Sequence, residues 1–138
     1  LVDADLRNPA QHLLFGADNQ HGLSCVLTRK AAAVPRPVMG IQRLFLLTAG
    51  PQALNPLELL SDPGFEQLID GWRKTYACGI LDTSAVNDHS DALAIASHSG
   101  RVLILSHAQH TRFRDTDNLL RRLTATRAQI AGAVITHF

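Results

Sequence analysis

Acidic side chains that directly follow short apolar runs are the residues most able to do chemistry. Asp82 and Thr83 follow the run 79–81, and Asp3 and Asp5 follow the apolar start of the chain. Buried parallel strands read as continuous apolar runs, and their carboxyl ends open onto the ligand crevice of α/β sheets. A buried aspartate is costly unless it meets a cation or a donor. We therefore expect Asp3, Asp5 and Asp82 to converge in one Mg²⁺–phosphate site, although Asp82 and Thr83 could simply cap the next segment.

The composition limits the classes of protein to which this chain can belong. The 138 residues make one domain or part of one, with 46% hydrophobic residues for a core and only 18% charged residues. A formal net charge of +1 argues against nucleic-acid binding, because a protein surface that binds nucleic acid normally shows a clear basic excess. Cys25 and Cys78 stand in no metal or redox spacing, which fits reduced thiols in a cytoplasmic protein. No apolar run has the length of a membrane span, and no secretory signal heads the chain.

Strand and helix patterns alternate along the chain. Strands are expected at the start, before Asp82 and at 41–47, 101–105 and 130–135. Helices are expected at 11–16, 22–27, 55–61, 61–76, 88–97 and 111–129, with a loop at 31–40. The alternation predicts an α/β fold with a doubly wound, mostly parallel sheet and helices on both faces. Because the first residues already lie in a strand pattern and no methionine precedes them, we expect residues 1–138 to be the C-terminal portion of one larger domain.

Several helices carry specific signals. Asn55 before Pro56 is a typical helix start, with asparagine as the cap and proline at the first helical position. In the helix that follows, apolar residues recur at spacings of three and four and predict one buried face: Phe65, Leu68, Ile69 and Trp72. In the helix 111–129 the inward residues are expected to be Phe113, Leu120 and Leu123. Its arginines alternate with acidic residues, which favours an ordinary solvated face.

An ordered series of motifs resembles the nucleotide-binding domain of bacterial tyrosine kinases. These are the chain-length-determinant kinases of capsule and exopolysaccharide export, which group with the deviant Walker P-loop ATPases. The matching segments are 1–9 (LVDADLRNP, similar to the Walker A-prime motif), 22–24 (GLS), 48–51 (TAGP), 55–61 (NPLELLS), 80–83 (ILDT, similar to the Walker B strand) and 90–92 (SDA). Together they cover almost the whole chain, and the order is more specific than any single motif.

The chain also departs from the family pattern. The family's Walker A loop, which cradles the phosphates, should precede residue 1, so the sequence reads as an incomplete P-loop domain. We therefore expect this chain alone to bind ATP weakly. Ser84 and Ala85 stand where the family has two prolines, and Thr136 stands where it often has asparagine. The family carries a tyrosine-rich tail, whereas the only tyrosine here is Tyr76.

The resemblance implies a role for each site residue. Asp3 and Asp82 would hold Mg²⁺, which accepts one or two carboxylates together with phosphate oxygens and waters. The ATP–Mg²⁺ cofactor would contact Asp3, Asp82 and Thr83. Asp5, with Asp3 as the other catalytic residue, would accept the proton of the attacking hydroxyl. The alternatives for Asp5 are a helix cap or an ion pair with Arg7.

The function implied by the resemblance is that of an ATP-dependent protein-tyrosine autokinase controlling polysaccharide chain length and export. Its partner would be a membrane co-polymerase subunit that activates it, and the intact protein would form a homo-oligomeric ring. It would lie in the cytoplasm, bound to the inner membrane through the partner or another segment. The alternatives are a partition-type ATPase, or a degenerate P-loop module kept for protein contacts.

Other chemistry is less well supported by the sequence. His107 and His110 invite a metal hypothesis, but no cysteine or carboxylate completes a zinc pattern around them. Ser84 lies near Asp82, but no histidine stands in a nucleophile-elbow pattern, which argues against serine hydrolase chemistry.

Overall fold

A computed structural model describes residues 1–32, 34–86 and 89–137. The chain divides into two compact units, Leu1–Ser84 and Ala85–Phe138. The first contains β1 (Val2–Asp3), α1 (Gln11–Leu14), α2 (Leu23–Leu27), β2 (Arg36–Pro37), β3 (Phe45–Leu46), α3 (Pro56–Ser61), α4 (Pro63–Thr75) and β4 (Leu81–Asp82). The second contains α5 (Asp91–Ser99), β5 (Arg101–His107), α6 (Phe113–Thr124) and β6 (Gln129–Thr136). Among the described residues no helix is both long and apolar enough to cross a membrane.

Strand β1 is the centre of the first unit. It pairs in parallel with β4, and its other side makes a parallel bridge from Val2 to Leu47, the residue after β3. Backbone hydrogen bonds hold both sides, with the Asp3 N–H donating to the Leu47 carbonyl at 2.9 Å. The carboxyl end of β1 therefore lies between two other parallel segments.

The core of the first unit is mostly apolar and includes the buried residues of α4. Phe65, Leu60 and Leu23 are fully buried, and Ile69 is buried one turn after Phe65. Of the predicted buried face of this helix, Phe65 and Ile69 are buried, whereas Leu68 and Trp72 are half-buried. Asp62 caps the helix by accepting a hydrogen bond from the Gly64 N–H at 2.7 Å. Burying a side chain as large as phenylalanine contributes about 2–3 kcal/mol. This packing holds α4, and the chain returns from it into β4.

The second unit is a parallel strand pair connected through a helix. β5 and β6 are in register from Arg101↔Gln129 to His107↔Thr136, with an irregularity after Val102. Its core consists of Ala96, Ile104 and Leu123, with further apolar side chains packed against them. Helix α5 ends at a left-handed glycine, Gly100 (φ 81°), a conformation that favours glycine.

Some predicted boundaries and orientations differ from the structure. The strand expected at 41–47 shortens to Phe45–Leu46, and the expected loop 31–40 supplies β2, which pairs antiparallel with it. Asn55 precedes α3 but its side chain makes no capping bond to the backbone; its Nδ2 donates to Glu58 Oε2 at 3.1 Å. The predicted helix start at residue 88 lies outside the described residues.

The predicted burial of Phe113 in the second unit is wrong. Phe113 is 87% exposed. It is the first residue of α6, and side chains tilt toward a helix's N-terminus, so it projects beyond the helix rather than onto the core. The strand at 101–105 is buried on one face only: Ile104 packs against the helices, whereas Leu103 and Leu105 are 55% and 68% exposed.

Candidate functional site

Asp3 and Asp82 lie side by side at the carboxyl ends of adjacent parallel strands. They are register partners in the β1–β4 pair. The strands are joined there by the Val2 N–H to the Ile80 carbonyl at 2.8 Å and the Ala4 N–H to the Asp82 carbonyl at 2.9 Å. Asp3 is fully buried and Asp82 is half-buried. The predicted convergence of these two carboxylates is confirmed, and we refer to Asp3 and Asp82 as the acid pair.

The segment after β1 folds around the Asp3 carboxylate. Its Oδ1 accepts the Asp5 N–H at 3.2 Å, and its Oδ2 accepts the N–H groups of Ala10 and Gln11 at 3.1 and 3.0 Å. A buried carboxylate needs such donors, because burial without them is costly. The charge of Asp3 therefore organises the turn 4–11.

Burial has the largest effect on the pKa of Asp3. It raises the pKa of the Asp3 carboxyl above its ordinary value, and the nearby charge of Asp82 raises it further. The hydrogen bonds from Gln11, Asp5 and Ala10 lower the pKa but do not cancel the effect of burial. Asp3 therefore has a raised pKa and a second carboxylate beside it, and a cation bound at the acid pair would offset their negative charge.

Gln11 contacts the second member of the acid pair with its side chain. Its Nε2 donates to Asp82 Oδ2 at 2.6 Å, although the two residues are far apart in the sequence. The same residue also donates its backbone N–H to Asp3. One glutamine therefore joins both carboxylates. Sequence reasoning missed it, since no motif distinguishes this position from the rest of a short helix.

Asp5 lies in the turn beyond β1 and not on the strand. Its Oδ1 accepts the N–H groups of Arg7 and Asn8, at 3.1 and 2.9 Å. This resembles the capping alternative, except that the carboxylate stabilises a turn several residues before α1 begins at Gln11. The role of Asp5 as a proton acceptor stays a prediction.

Thr83 and Ser84 follow directly after β4. The Thr83 hydroxyl donates to the Ser84 carbonyl at 3.3 Å, and both the Thr83 side chain and Asp82 are half-buried. Ser84 is buried, and its hydroxyl has no hydrogen-bond partner within the described part of the chain. The predicted contact of Thr83 with a nucleotide stays a prediction.

The residues present fit a magnesium ion better than a transition metal. Mg²⁺ prefers oxygen ligands and uses one or two carboxylates while keeping several waters, which the acid pair provides. Residues 1–32, 34–86 and 89–137 contain no group of three or more histidine, cysteine or acidic side chains that could hold a metal. The rings of His107 and His110 are 4.3 Å apart, edge to face, and each Nδ1 contacts the Ala108 carbonyl.

Segments 22–24 and 48–51, which resemble the family motifs, are joined by backbone hydrogen bonds. The N–H groups of Leu23 and Ser24 donate to the carbonyls of Thr48 and Ala49, both at 2.8 Å. A Cβ on Gly22 would come within 2.2 Å of the Thr48 carbonyl oxygen, so this approach requires glycine. These segments hold the loop that follows β3.

Asn19 is a second residue that sequence reasoning missed. Its side chain accepts the Gly50 N–H at 2.8 Å and donates to the Gly50 carbonyl at 3.0 Å. Gly50 has φ +82°, where residues other than glycine are strained. The asparagine therefore fixes a left-handed turn at the end of the β3 segment.

The chain is similar to known kinases over nearly its whole length. No protein-family model matches it. It is 30% identical over 137 residues to the tyrosine-protein kinase YwqD of Bacillus subtilis, covering 98% of this chain and 57% of YwqD. It is 28% identical over 137 residues to the tyrosine-protein kinase Wzc of Salmonella typhimurium, covering 98% of this chain and 19% of Wzc. The chain thus spans less than two thirds of these curated relatives.

A solved structure shows the same fold. The crystal structure of the VpsO kinase domain superposes with a TM-score of 0.91 at 30% identity, covering 99% of this chain and 68% of that domain. The predicted α/β fold with mostly parallel strands, similar to P-loop NTPases, is confirmed by this match and by the parallel β1–β4 and β5–β6 pairs.

Proposed function

Because this chain belongs to the bacterial tyrosine kinase family, we propose that the protein containing it is an ATP-dependent protein-tyrosine kinase that phosphorylates itself. Its proposed role is to regulate the chain length and export of capsule or exopolysaccharide. The observation that carries the proposal is the acid pair, whose two carboxylates meet at the ends of β1 and β4. This is the place where an open α/β sheet binds its ligand.

The acid pair is the proposed site of Mg²⁺, bound together with the phosphates of ATP. Asp3 is held by three backbone N–H groups, so its carboxylate is fixed before any ligand arrives. Asp82 lies half-exposed beside it and is the more accessible of the two. When bound, Mg²⁺ supplies positive charge that neutralises the phosphoryl oxygens during in-line transfer.

Asp5 is the proposed proton acceptor for the attacking tyrosine hydroxyl. The N–H groups of Arg7 and Asn8 hold its Oδ1 and so fix the orientation of the carboxylate. Asp3 assists by accepting the Asp5 N–H, which ties the proton acceptor to the metal site. Thr83, directly after Asp82, is proposed to contact the nucleotide.

The proposed partners follow from family membership. We propose a membrane co-polymerase subunit as activator, a homo-oligomeric ring as the assembly, and the cytoplasmic side of the inner membrane as the location. The acidic and basic residues are nearly balanced, at 12 and 13, so we propose no nucleic-acid partner.

An assay of the full-length protein tests this function. Purified protein would be incubated with ATP and Mg²⁺, with the activator present, and phosphotyrosine would be quantified for wild type and Asp3→Asn. A matched control is Asp70→Asn, because Asp70 lies exposed on α4 in an ion pair with Arg73. We expect phosphotyrosine from wild type and the control only. No ATP-dependent phosphotyrosine from a folded wild-type protein would refute the proposal.

A further inference from the structure

Gln11 contacts both carboxylates of the acid pair through different groups. Its backbone N–H reaches Asp3 Oδ2 at 3.0 Å, and its side-chain Nε2 reaches Asp82 Oδ2 at 2.6 Å. Gln11 is the first residue of α1, and its carbonyl accepts the Phe15 N–H at 3.0 Å. The backbone of Gln11 is thus anchored on both sides, and its side chain extends from a fixed point.

The chemistry of the contact sets the orientation of the amide. An ionised carboxylate only accepts hydrogen bonds, so the NH₂ group of Gln11, and not its oxygen, must face Asp82. The separation of 2.6 Å is short for an N–H···O hydrogen bond, and an ionised acceptor shortens such bonds. Because the carboxylate rotates about its Cβ–Cγ bond, a donor that holds Oδ2 also determines where Oδ1 lies.

We propose that Gln11 is a positioning residue that fixes the Asp82 carboxylate and leaves Oδ1 for Mg²⁺. This inference rests on the Mg²⁺ site of the proposed function. Partners that orient a metal-ligating carboxylate typically change metal affinity or activity by about 10- to 100-fold when they are removed. The half-buried contact between Gln11 and Asp82 has the geometry of such a partner.

The substitution Gln11→Met separates the two contacts. Methionine has a similar length and no donor, so the bond to Asp82 is lost while the backbone N–H to Asp3 remains. Gln20→Met is the matched control, since it makes the same chemical change at an exposed position of the following loop. If Gln11→Met does not fold, Gln11→Asn replaces it, because asparagine is polar but one methylene too short to reach Asp82.

The main readout is metal affinity and not turnover. Binding of Mn²⁺ to the full-length protein would be followed by electron paramagnetic resonance with ADP present. We expect about 10-fold weaker binding for Gln11→Met and unchanged binding for Gln20→Met. In an Asp82→Asn background, Gln11→Met should cause no further loss, because residues that act through one contact are not additive.

Each result decides for or against the inference. Wild-type affinity in a folded Gln11→Met protein would overturn it, and so would an equal loss in the Asp82→Asn background. A parallel phosphotyrosine assay keeps the proposed function separate. Weaker Mn²⁺ binding in Gln11→Met together with no phosphotyrosine from wild type would support the positioning role and refute the kinase function.

Discussion

The two parallel strand pairs of this protein end in different chemistry. β1 and β4 end at the partners Asp3 and Asp82, whereas β5 and β6 end at the partners His107 and Thr136. At the end of β5 a neighbouring residue provides the hydrogen-bond partner: the Thr111 hydroxyl accepts the His107 N–H at 2.8 Å. At the first end two carboxylates lie side by side, and the Gln11 side chain donates to one of them. Two similar strand pairs therefore end in different residues, and we propose a ligand site at the first, because function depends on the residues placed on a fold.

The largest expected effect on stability comes from Asp3→Ala. This change leaves three N–H groups, those of Asp5, Ala10 and Gln11, without their acceptor. Unpaired buried donors cost about 1–3 kcal/mol each, and removal of a buried charge offsets part of that cost, so we expect a net loss of about 3 kcal/mol. Urea unfolding measures it.

The strand end of the second unit provides a control for Asp3→Ala. Thr136→Val at the other strand end removes a hydroxyl whose hydrogen bond to the Ser106 carbonyl is long, at 3.5 Å. We expect it to cost less than about 1 kcal/mol. Equal losses for the two substitutions would contradict the claim that the strand ends are built differently.

Substitutions of Asp5 should have a smaller effect on stability, and they separate its role in the turn from its proposed role in proton transfer. Asp5→Ala removes the acceptor for the Arg7 and Asn8 N–H groups in a partly exposed turn, which should cost about 1 kcal/mol. Asp5→Asn keeps an oxygen there and should unfold at nearly the wild-type temperature while losing phosphotyrosine formation. If Asp5→Asn retains full turnover, the capping role is the whole role of Asp5.

The smallest effect is the pH dependence of stability in metal-free buffer. The pKa of Asp3 is higher in the folded protein than in the unfolded chain, so the folded state binds more protons between the two values. Its contribution to stability is therefore larger below the ordinary carboxyl pKa and falls as pH rises through the raised folded pKa. The difference in urea midpoint between wild type and Asp3→Asn, followed against pH with EDTA present, should show this sign. A difference that grows in favour of wild type as pH rises would contradict it.

Local signals predicted much of this architecture. The spacing of Phe65 and Ile69 predicts α4, and apolar runs that end in an aspartate predict that Asp3 and Asp82 lie close together. These predictions succeed because the cause lies within a few residues or in a common strand pattern. They also indicate the strand end at which we propose the site.

Contacts between distant residues could not be predicted in the same way. The bond between Gln11 and Asp82 spans 71 positions, and β2 is a two-residue strand containing Pro37 that pairs only because β3 lies beside it. Tertiary packing determines both. The exposure of Phe113 shows the same limit, since periodicity gives the face of a helix but not where the helix begins.

The acid pair is proposed to hold the metal on which phosphoryl transfer depends, and Asp82→Asn in the full-length protein tests this role most directly. Asparagine keeps the shape and removes the charge, so the melting temperature should barely move. We expect turnover to fall by about 100-fold or more, equivalent to about 2.7 kcal/mol of activation barrier. Asp70→Asn on the surface of α4 should behave like wild type. Near-normal turnover from a well-folded Asp82→Asn protein would remove Asp82 from the active site.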